Sequence, residues 1–279
     1  MAPTDPHRIH LLDDGARDPA WNMAVDEALL HLRQAGAIAG TWIRLFGWAP
    51  AAVSIGRLQS PESELDLEAL ASAQVPVVRR ATGGKAVFHA DELTYSLVGG
   101  VHDPTWGSNL HETYRRVTAV LAGGLGRLGV ATELAPARPA RGETGAAGDL
   151  AAACFAVAFG HELVHGGRKI CGSAQRRLTR AFLQHGSLLL GPGQADMARF
   201  LRVNGDREAL RRRLAGDTVD VSAALGRRVL PEELAGAIRA SLLDRFGARV
   251  VAGELPASVV REAEGRLEAV RVDSRRRPR

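Results

Sequence analysis

Apolar positions along the chain switch repeatedly between a period of two and a period near three and a half, the pattern of a protein that mixes strands and helices. Residues 8–12 read as a short first strand. After the polar break at 13–18, residues 19–30 place Trp21, Val25, Ala28 and Leu29 at three- and four-residue spacing behind Pro19, which predicts an amphipathic helix. Residues 41–46 and 51–55 read as strands joined by Gly47-Trp48-Ala49-Pro50, and 63–73 as a short helix carrying Leu65, Leu67 and Leu70. Residues 75–80 and 92–98 are strands leading into and out of a loop at Gly83-Gly84, and 110–128 is the longest helical stretch, with Gly123, Gly124 and Gly126 weakening its last turns. Residues 131–149, rich in Ala, Gly, Pro and Arg and without periodicity, read as a mobile loop. Strand patterns return at 159–164, 168–171 and 183–190, with His165-Gly166-Gly167 as a turn. From residue 194 they thin out in favour of helices at 197–201, 208–214, 221–225 and 231–246, the last opened by Pro231 and two glutamates, and 252–268 allows one more.

This order of elements predicts an α/β (α+β) fold. A single domain spans 1–250, with 194–250 its helical C-terminal portion, and 251–279 is a basic tail whose last residues are disordered. With 46% hydrophobic and 24% charged residues the chain is globular in composition, and no run of 18 apolar residues occurs to cross a membrane. The N-terminus lacks an apolar core of signal-peptide length, so the expected location is cytoplasmic. Two cysteines, Cys154 and Cys171, suit free thiols better than a disulfide framework. The net charge of +5, partly carried by Arg275, Arg276, Arg277 and Arg279, suits an acidic protein partner as well as nucleic acid.

The densest chemistry lies in 78–96, VRRATGGKAVFHADELTYS. Adjacent glycines bring backbone N–H groups close to a ligand, and Arg80 and Lys85 add positive charge, so the Thr82-Gly83-Gly84-Lys85 segment reads either as a cradle for a carboxyl, phosphate or acyl group or as a Gly-Gly hairpin turn. His89 is a candidate general base or thiol-orienting group. A second basic, glycine-bearing segment, 167–177, carries Lys169, Cys171, Gly172, Ser173 and Ala174. Lys169 is either an oxyanion-stabilising donor or an exposed hairpin lysine. His185, beside Gly186 in an apolar strand, is either a hydrogen-bonded core residue or a polar group facing a pocket. Either cysteine is a candidate acyl-accepting nucleophile or a small buried hydrophobe. The available carboxylates Asp91, Glu92 and Glu162 have no distinguishing spacing, and the sequence has no GxxxxGK[ST], GxGxxG, HExxH or GxSxG motif.

Taken together these segments resemble the biotin/lipoate protein ligase superfamily. Residues 79–89 look like its RRxxGGxxVxH signature, 91–96 like the ELTYS continuation of cysteine-dependent octanoyltransferases, 167–175 like GxKIxGSAQ and 183–189 like LQHGSLL. Residues 18–30 and 50–59 are similar to its first helix and SIGRxQ strand end. The resemblance implies a catalytic domain with a mixed, curved sheet and an acyl groove, without a cofactor. It implies transfer of an octanoyl group from acyl carrier protein, through a thioester, to a lysine of a lipoyl-accepting protein, such as glycine cleavage H protein or the lipoyl domains of 2-oxoacid dehydrogenases. Ala153-Cys154-Phe155 occupies the place of the branch's ACF-like nucleophile segment, ahead of Lys169, which makes Cys154 the implied nucleophile and Cys171 a strand residue. The residues after it, Ala156-Val157-Ala158-Phe159-Gly160-His161, depart from the usual Asp, Pro, Ser and aromatic run. Lys169 would bond the acyl carbonyl, Gly83, Gly84, Arg80 and Lys85 would line the groove, and His89 and His185 would border it. Rival readings are an ATP-dependent lipoate ligase, which the absence of an Asn-Asp pair before Lys169 disfavours, an amidotransferase between lipoyl-accepting proteins, and a basic nucleic-acid-binding module, which 5% aromatic residues disfavour.

Overall fold

The computed structural model describes residues 7–135 and 162–273. Its first unit sets the pattern: strand β1 (Ile9–Arg17), then helix α1 (Pro19–Ala35), whose N-cap Asp18 accepts from the backbone N–H groups of Ala20 and Trp21 and whose C-cap Gly36 is left-handed at φ 74°. Next come β2 (Thr41–Trp48), β3 (Ala52–Ile55), α2 (Pro61–Glu64), α3 (Leu67–Ser72), β4 (Val77–Arg79), β5 (Val87–His89), β6 (Glu92–Gly100) and α4 (Leu110–Leu128). After β7 (Glu133–Leu134) the described chain resumes with β8 (Leu163–His165), β9 (Arg168–Arg177) and β10 (Ala181–Leu189). A 3-10 helix (Pro192–Arg199), α5 (Arg207–Asp217), α6 (Val221–Leu225), α7 (Pro231–Phe246), β11 (Val250–Ala252), α8 (Ala257–Glu264), α9 (Leu267–Val270) and β12 (Arg271–Val272) complete it.

The strands form two sheets. An eight-stranded mixed sheet runs β11-β1-β2-β6-β10-β9-β8-β7, parallel across β11, β1 and β2 and antiparallel from there on, and a four-stranded sheet runs β12-β4-β3-β5. The fold is therefore mixed α/β as expected, with the glycine-rich loop carried by the smaller sheet. Alternation along β2 explains how the large sheet is covered on both sides. Trp42 and Phe46 pack with α1 and α8, while Ile43 and Leu45 point to the opposite core with α4 and α7. The glycines near the end of α4 do not fray it. A Cβ on Gly124 would lie 2.8–3.1 Å from Ile238 of α7, so glycine there lets the two helices approach.

Three expectations change. The helix expected at 63–73 is two, because Leu65 turns extended to bridge Leu201 and Asp66 starts α3 by accepting from the Ala69 N–H at 3.0 Å. The 3-10 helix replaces the expected helix start at 197. Residues 251–272 are no tail: β11 extends the large sheet beside β1, β12 pairs with β4, and Val259, Ala263 and Val270 are buried against the α1 side of the core. Residues 136–161, which hold most of the expected loop, and the arginine-rich end 274–279 lie outside the described residues. Among the described residues no helix is long and apolar enough to cross a membrane.

Candidate functional site

A narrow cleft opens where the small sheet faces α1 and strands β6, β9 and β10. Met23, Trp48 and Val87 supply apolar wall. Ser54, Arg80, His89, Thr94, Ser173, His185 and Ser187 supply side chains, and Gly172, Ala174 and Gly186 complete the lining. The register explains the gathering: His185 pairs with Ser96 and Ala174, and Ser187 with Thr94 and Gly172, so alternate residues of three neighbouring strands share one face.

Two histidine–carboxylate chains lie within this wall. In the first, Asp26 on α1 accepts from Arg44 Nη1 at 2.6 Å and from Ser96 Oγ at 2.7 Å through Oδ1, and from His185 Nδ1 at 3.0 Å through Oδ2. An ionised carboxylate only accepts, so Nδ1 carries the proton and Nε2 accepts from Thr82 Oγ1 at 2.7 Å. Burial, only partly offset by the Asp26 hydrogen bond, pushes His185 below its ordinary pKa and keeps the imidazole neutral. Asp26 is pushed up by burial and pulled down further by His185 and Arg44, and it ends below the usual carboxylate range. Arg44 is fully buried and also meets Asp14, at 2.7 Å, where a bulge in β1 re-aims that side chain.

In the second chain Arg80 Nη1 donates to Ser54 Oγ at 3.1 Å and Ser54 to His89 Nε2 at 2.7 Å. His89 Nδ1 then donates to Glu92 Oε1 at 2.8 Å. Thr94 and Ser187 donate to the same oxygen, at 2.6 and 2.7 Å. Trp48 stacks on the His89 ring at a centroid distance of 3.9 Å and donates its indole N–H to Thr94 Oγ1 at 2.8 Å. The polar side chains that line the cleft thus find partners, although Glu92 Oε2 behind them is buried without one, and the surface left facing the space is mainly carbon.

The paired arginines brace loops here. Arg79 Nη1 donates to the carbonyls of Gly56, Arg57 and Gln59, and Arg80 Nη2 donates to those of Gly83 and Lys85 at 2.9 and 2.7 Å. The two loops touch. A Cβ on Gly56 would lie 2.1 Å from the Gly84 carbonyl oxygen, and Arg57 N–H donates to Thr82 O at 2.8 Å.

Of the residues singled out in the sequence, Arg80, His89, Gly172, Ser173, Ala174, His185 and Gly186 meet at the cleft. Thr82 sits behind it, buried against His185, while Gly83 and Gly84 are exposed and Lys85 is half-buried beyond its lining. Lys169 is not in the lining. It is neither an exposed hairpin lysine, being only 4% exposed, and its Nζ donates to Glu162 Oε1 at 2.5 Å. Cys154 lies outside the described residues. Cys171 is buried, and burial pushes its thiol up to about 12, the state of an inert core thiol. Sequence reasoning passed over Asp26, Ser54, Trp48, Thr94 and Ser187, and gave Glu92 and Glu162 no particular place. Asp26 carried one legible signal, a lone acid among the apolar residues of an amphipathic helix, but its partner His185 is 159 residues away. Among the described residues no cluster of three His, Cys, Asp or Glu groups is arranged to hold a metal ion.

A family model described as the lipoyl protein ligase A/B catalytic domain matches residues 18–241. Octanoyltransferase LipM of Moorella thermoacetica is 36% identical over 265 residues, covering 94% of this chain and 93% of that protein. Octanoyltransferase LipM of an Exiguobacterium species is 37% identical over 238 residues, covering 85% and 86%. Among solved structures, lipoate-protein ligase A bound with ATP superposes with a TM-score of 0.69 at 20% identity over 95% of both chains. The bipartite lipoate protein ligase of Thermoplasma acidophilum does so with 0.72 at 19% identity, over 94% of this chain and 92% of that one. At such identities the structural likeness speaks to the fold, and it agrees with the match that spans most of the sequence: this chain belongs to the lipoyl protein ligase A/B catalytic-domain family.

Proposed function

We propose that this protein is an octanoyltransferase of lipoate biosynthesis that moves an eight-carbon acyl group from acyl carrier protein to a lysine of a lipoyl-accepting protein. The carrying observation is the cleft itself. Its polar side chains are occupied with one another, so it offers an alkyl chain a largely carbon-lined space bounded by Met23, Trp48 and Val87. Each buried methylene contributes about 0.8 kcal/mol, so an octanoyl chain gains on the order of 5 kcal/mol there, and length selection follows from where the space ends. The names of the LipM relatives, at 36% and 37% identity, support the same reading.

In this reading the Cys154 thiolate attacks the donor thioester carbonyl. The carbonyl bond to the carrier's sulfur breaks and the carrier thiol leaves with a proton. The neutral amine of the acceptor lysine then attacks the enzyme thioester, forming the amide and returning Cys154 as its thiol. Lys169 donates to the acyl carbonyl oxygen as negative charge develops on it. His89 and His185, oriented by their carboxylate partners Glu92 and Asp26, shape the cleft wall. No cofactor takes part. The donor is an acidic carrier protein suited to the basic chain, and the acceptors are glycine cleavage H protein and lipoyl domains of 2-oxoacid dehydrogenases.

The test is intact-mass spectrometry after mixing with octanoyl carrier protein. An octanoyl adduct that disappears in Cys154→Ala is expected. No adduct, or one that survives the substitution, sinks the reading. The exposed Gly83-Gly84 backbone is the feature a ligase acting through an acyl-adenylate would use, and that alternative predicts acceptor modification only when ATP and free acid are supplied. Supplying an octanoylated lipoyl protein as the donor distinguishes amidotransfer.

A further inference from the structure

Glu162 and Lys169 form a buried ion pair that the cleft does not account for. Both side chains are nearly sealed, at 6% and 4% exposure, with Nζ and Oε1 2.5 Å apart. The pair is held from both sides. The Glu162 carbonyl accepts from the Ala135 N–H at 2.8 Å next to the edge strand β7, and the Lys169 carbonyl accepts from the Val219 N–H at 3.0 Å. A bulge between β8 and β9 sets Leu163 opposite Cys171 but Val164 opposite Lys169, leaving Ile170 as the extra residue. Bulges of this kind re-aim a side chain.

The neighbours Leu163, Ile170 and Cys171 belong to the apolar core. Two hydrophobic residues would serve stability there as well as a buried ion pair, whose desolvation cost offsets most of its attraction. Lys169 also stands three residues along β9 from Gly172 in the cleft wall, about 10 Å at a rise of about 3.3 Å per residue. That is comparable to the length of an extended eight-carbon chain.

We propose that Glu162 is a positioning residue for acyl transfer, whose carboxylate fixes the Lys169 side chain at one end of the acyl site and aims its Nζ for the acyl carbonyl; this rests on the octanoyl-transfer reading above. The Glu162 carboxylate depends on its partner in return. Its Oε2 is buried without a hydrogen bond, and burial, partly offset by Lys169, pushes its pKa up to about 7. Other ionisable groups around the pair are Cys171 on the same strand and Glu92 on β6, which both bear on the local potential. Arg168 and His165 lie in the β8–β9 turn, and Asp217 and Asp220 flank the segment beside Lys169.

The experiment is single-turnover octanoylation of the full chain by octanoyl carrier protein, read by intact mass on both sides of neutral pH, with a thermal melt for each variant. Above neutral pH, E162Q is expected to slow acylation about a hundredfold, the lower end of the range for a lost oxyanion donor. That deficit shrinks as pH falls below about 7, where the parent's own Glu162 becomes protonated and resembles glutamine. E162D is expected to fall between the two, and adding E162Q to K169M to slow it no further. A parent-to-E162Q ratio that is constant with pH, or losses that multiply in the double variant, overturns the proposal. If E162Q does not fold, E162D decides: a folded E162D as fast as the parent overturns it as well. A parent that forms no octanoyl adduct at all is a separate result, which removes the transfer reading and this proposal with it.

Discussion

Asp26→Asn tests the reasoning about the buried chain that links α1 to the cleft. The parent carboxylate meets Arg44 and Ser96 through one oxygen and His185 through the other, and both Asp26 and Arg44 are sealed from solvent. Asparagine keeps the shape but turns one acceptor into a donor and leaves Arg44 short of a counter-charge. Breaking a buried ion pair from one side costs about 3–5 kcal/mol. Arg44 retains Asp14 at 2.7 Å, so the expected cost is near the bottom of that range, about 3 kcal/mol. With a urea m-value near 3 kcal/mol/M for a chain of this size, the unfolding midpoint falls by about 1 M at unchanged slope. Asp14→Asn is the internal control. Asp14 is 14% exposed and leaves the Asp26 pair intact, so its loss is expected to stay at about 1 kcal/mol. Equal midpoint shifts for the two variants would refute the assignment of Asp26 as the buried anchor.

Other outcomes follow from the same geometry. Gly56→Ala puts a methyl 2.1 Å from the Gly84 carbonyl oxygen; it is expected to cost about 2 kcal/mol in a thermal melt and to raise KM for the octanoyl donor by displacing the Thr82–Lys85 loop. His185 titrates below its ordinary 6.5 in the folded protein, so the unfolded chain binds a proton first, and stability is complete above pH 6.5 and declines as pH drops beneath it. His185→Gln removes that decline from a urea series across pH. A second decline, from the depressed pKa of Asp26, sets in only as pH falls through and below the ordinary carboxylate value of 3.8, and His185→Gln weakens it too, because His185 is the first of the groups that hold the Asp26 carboxylate down. Val259→Asp buries a charge against the α1 side of the core and is expected to cost roughly 3 kcal/mol or more by the same melts. A neutral result would mean that residues 251–272 do not belong to the folded core.

Local signals carried the sequence reading wherever structure is local. Pro19 and the spacing of Trp21, Val25, Ala28 and Leu29 mark α1, although it runs on past residue 30 to Ala35, and Leu110 to Leu128 is one helix because its apolar stripe meets α7 despite the glycines. The reading stopped short in β9, predicted at 168–171 but extending to Arg177, because its second half is polar and finds its partners in β10. At 251–272 the helix allowed over 252–268 is present as α8, but the reading of the segment as a basic tail failed. The arginine run at 275–279 coloured the reading of the whole end, yet within 251–272 Arg266 and Arg271 pair with Glu262 and Glu268 on the surface while a few small apolar residues face α1. At the site, residues in contiguous motifs, such as His89, Ser173 and His185, were visible. Asp26, Ser54 and Ser187 were not, since a single acid or hydroxyl has meaning only after pairing across the sheets brings its partner within 3 Å. Glu162 became meaningful only through the bulge that turns Lys169 toward it.

The two short strands near the C-terminus bear on how the chain is made. β11 closes the edge at β1, and β12 closes the edge at β4. During synthesis β1 waits for its outer partner through roughly 240 further residues, on the order of ten to fifty seconds at ribosomal rates. Over that interval its N–H and C=O groups form an open template for another chain. A product that ends before Val250 keeps that template permanently, and it is expected to self-associate even though every cleft residue has already been made.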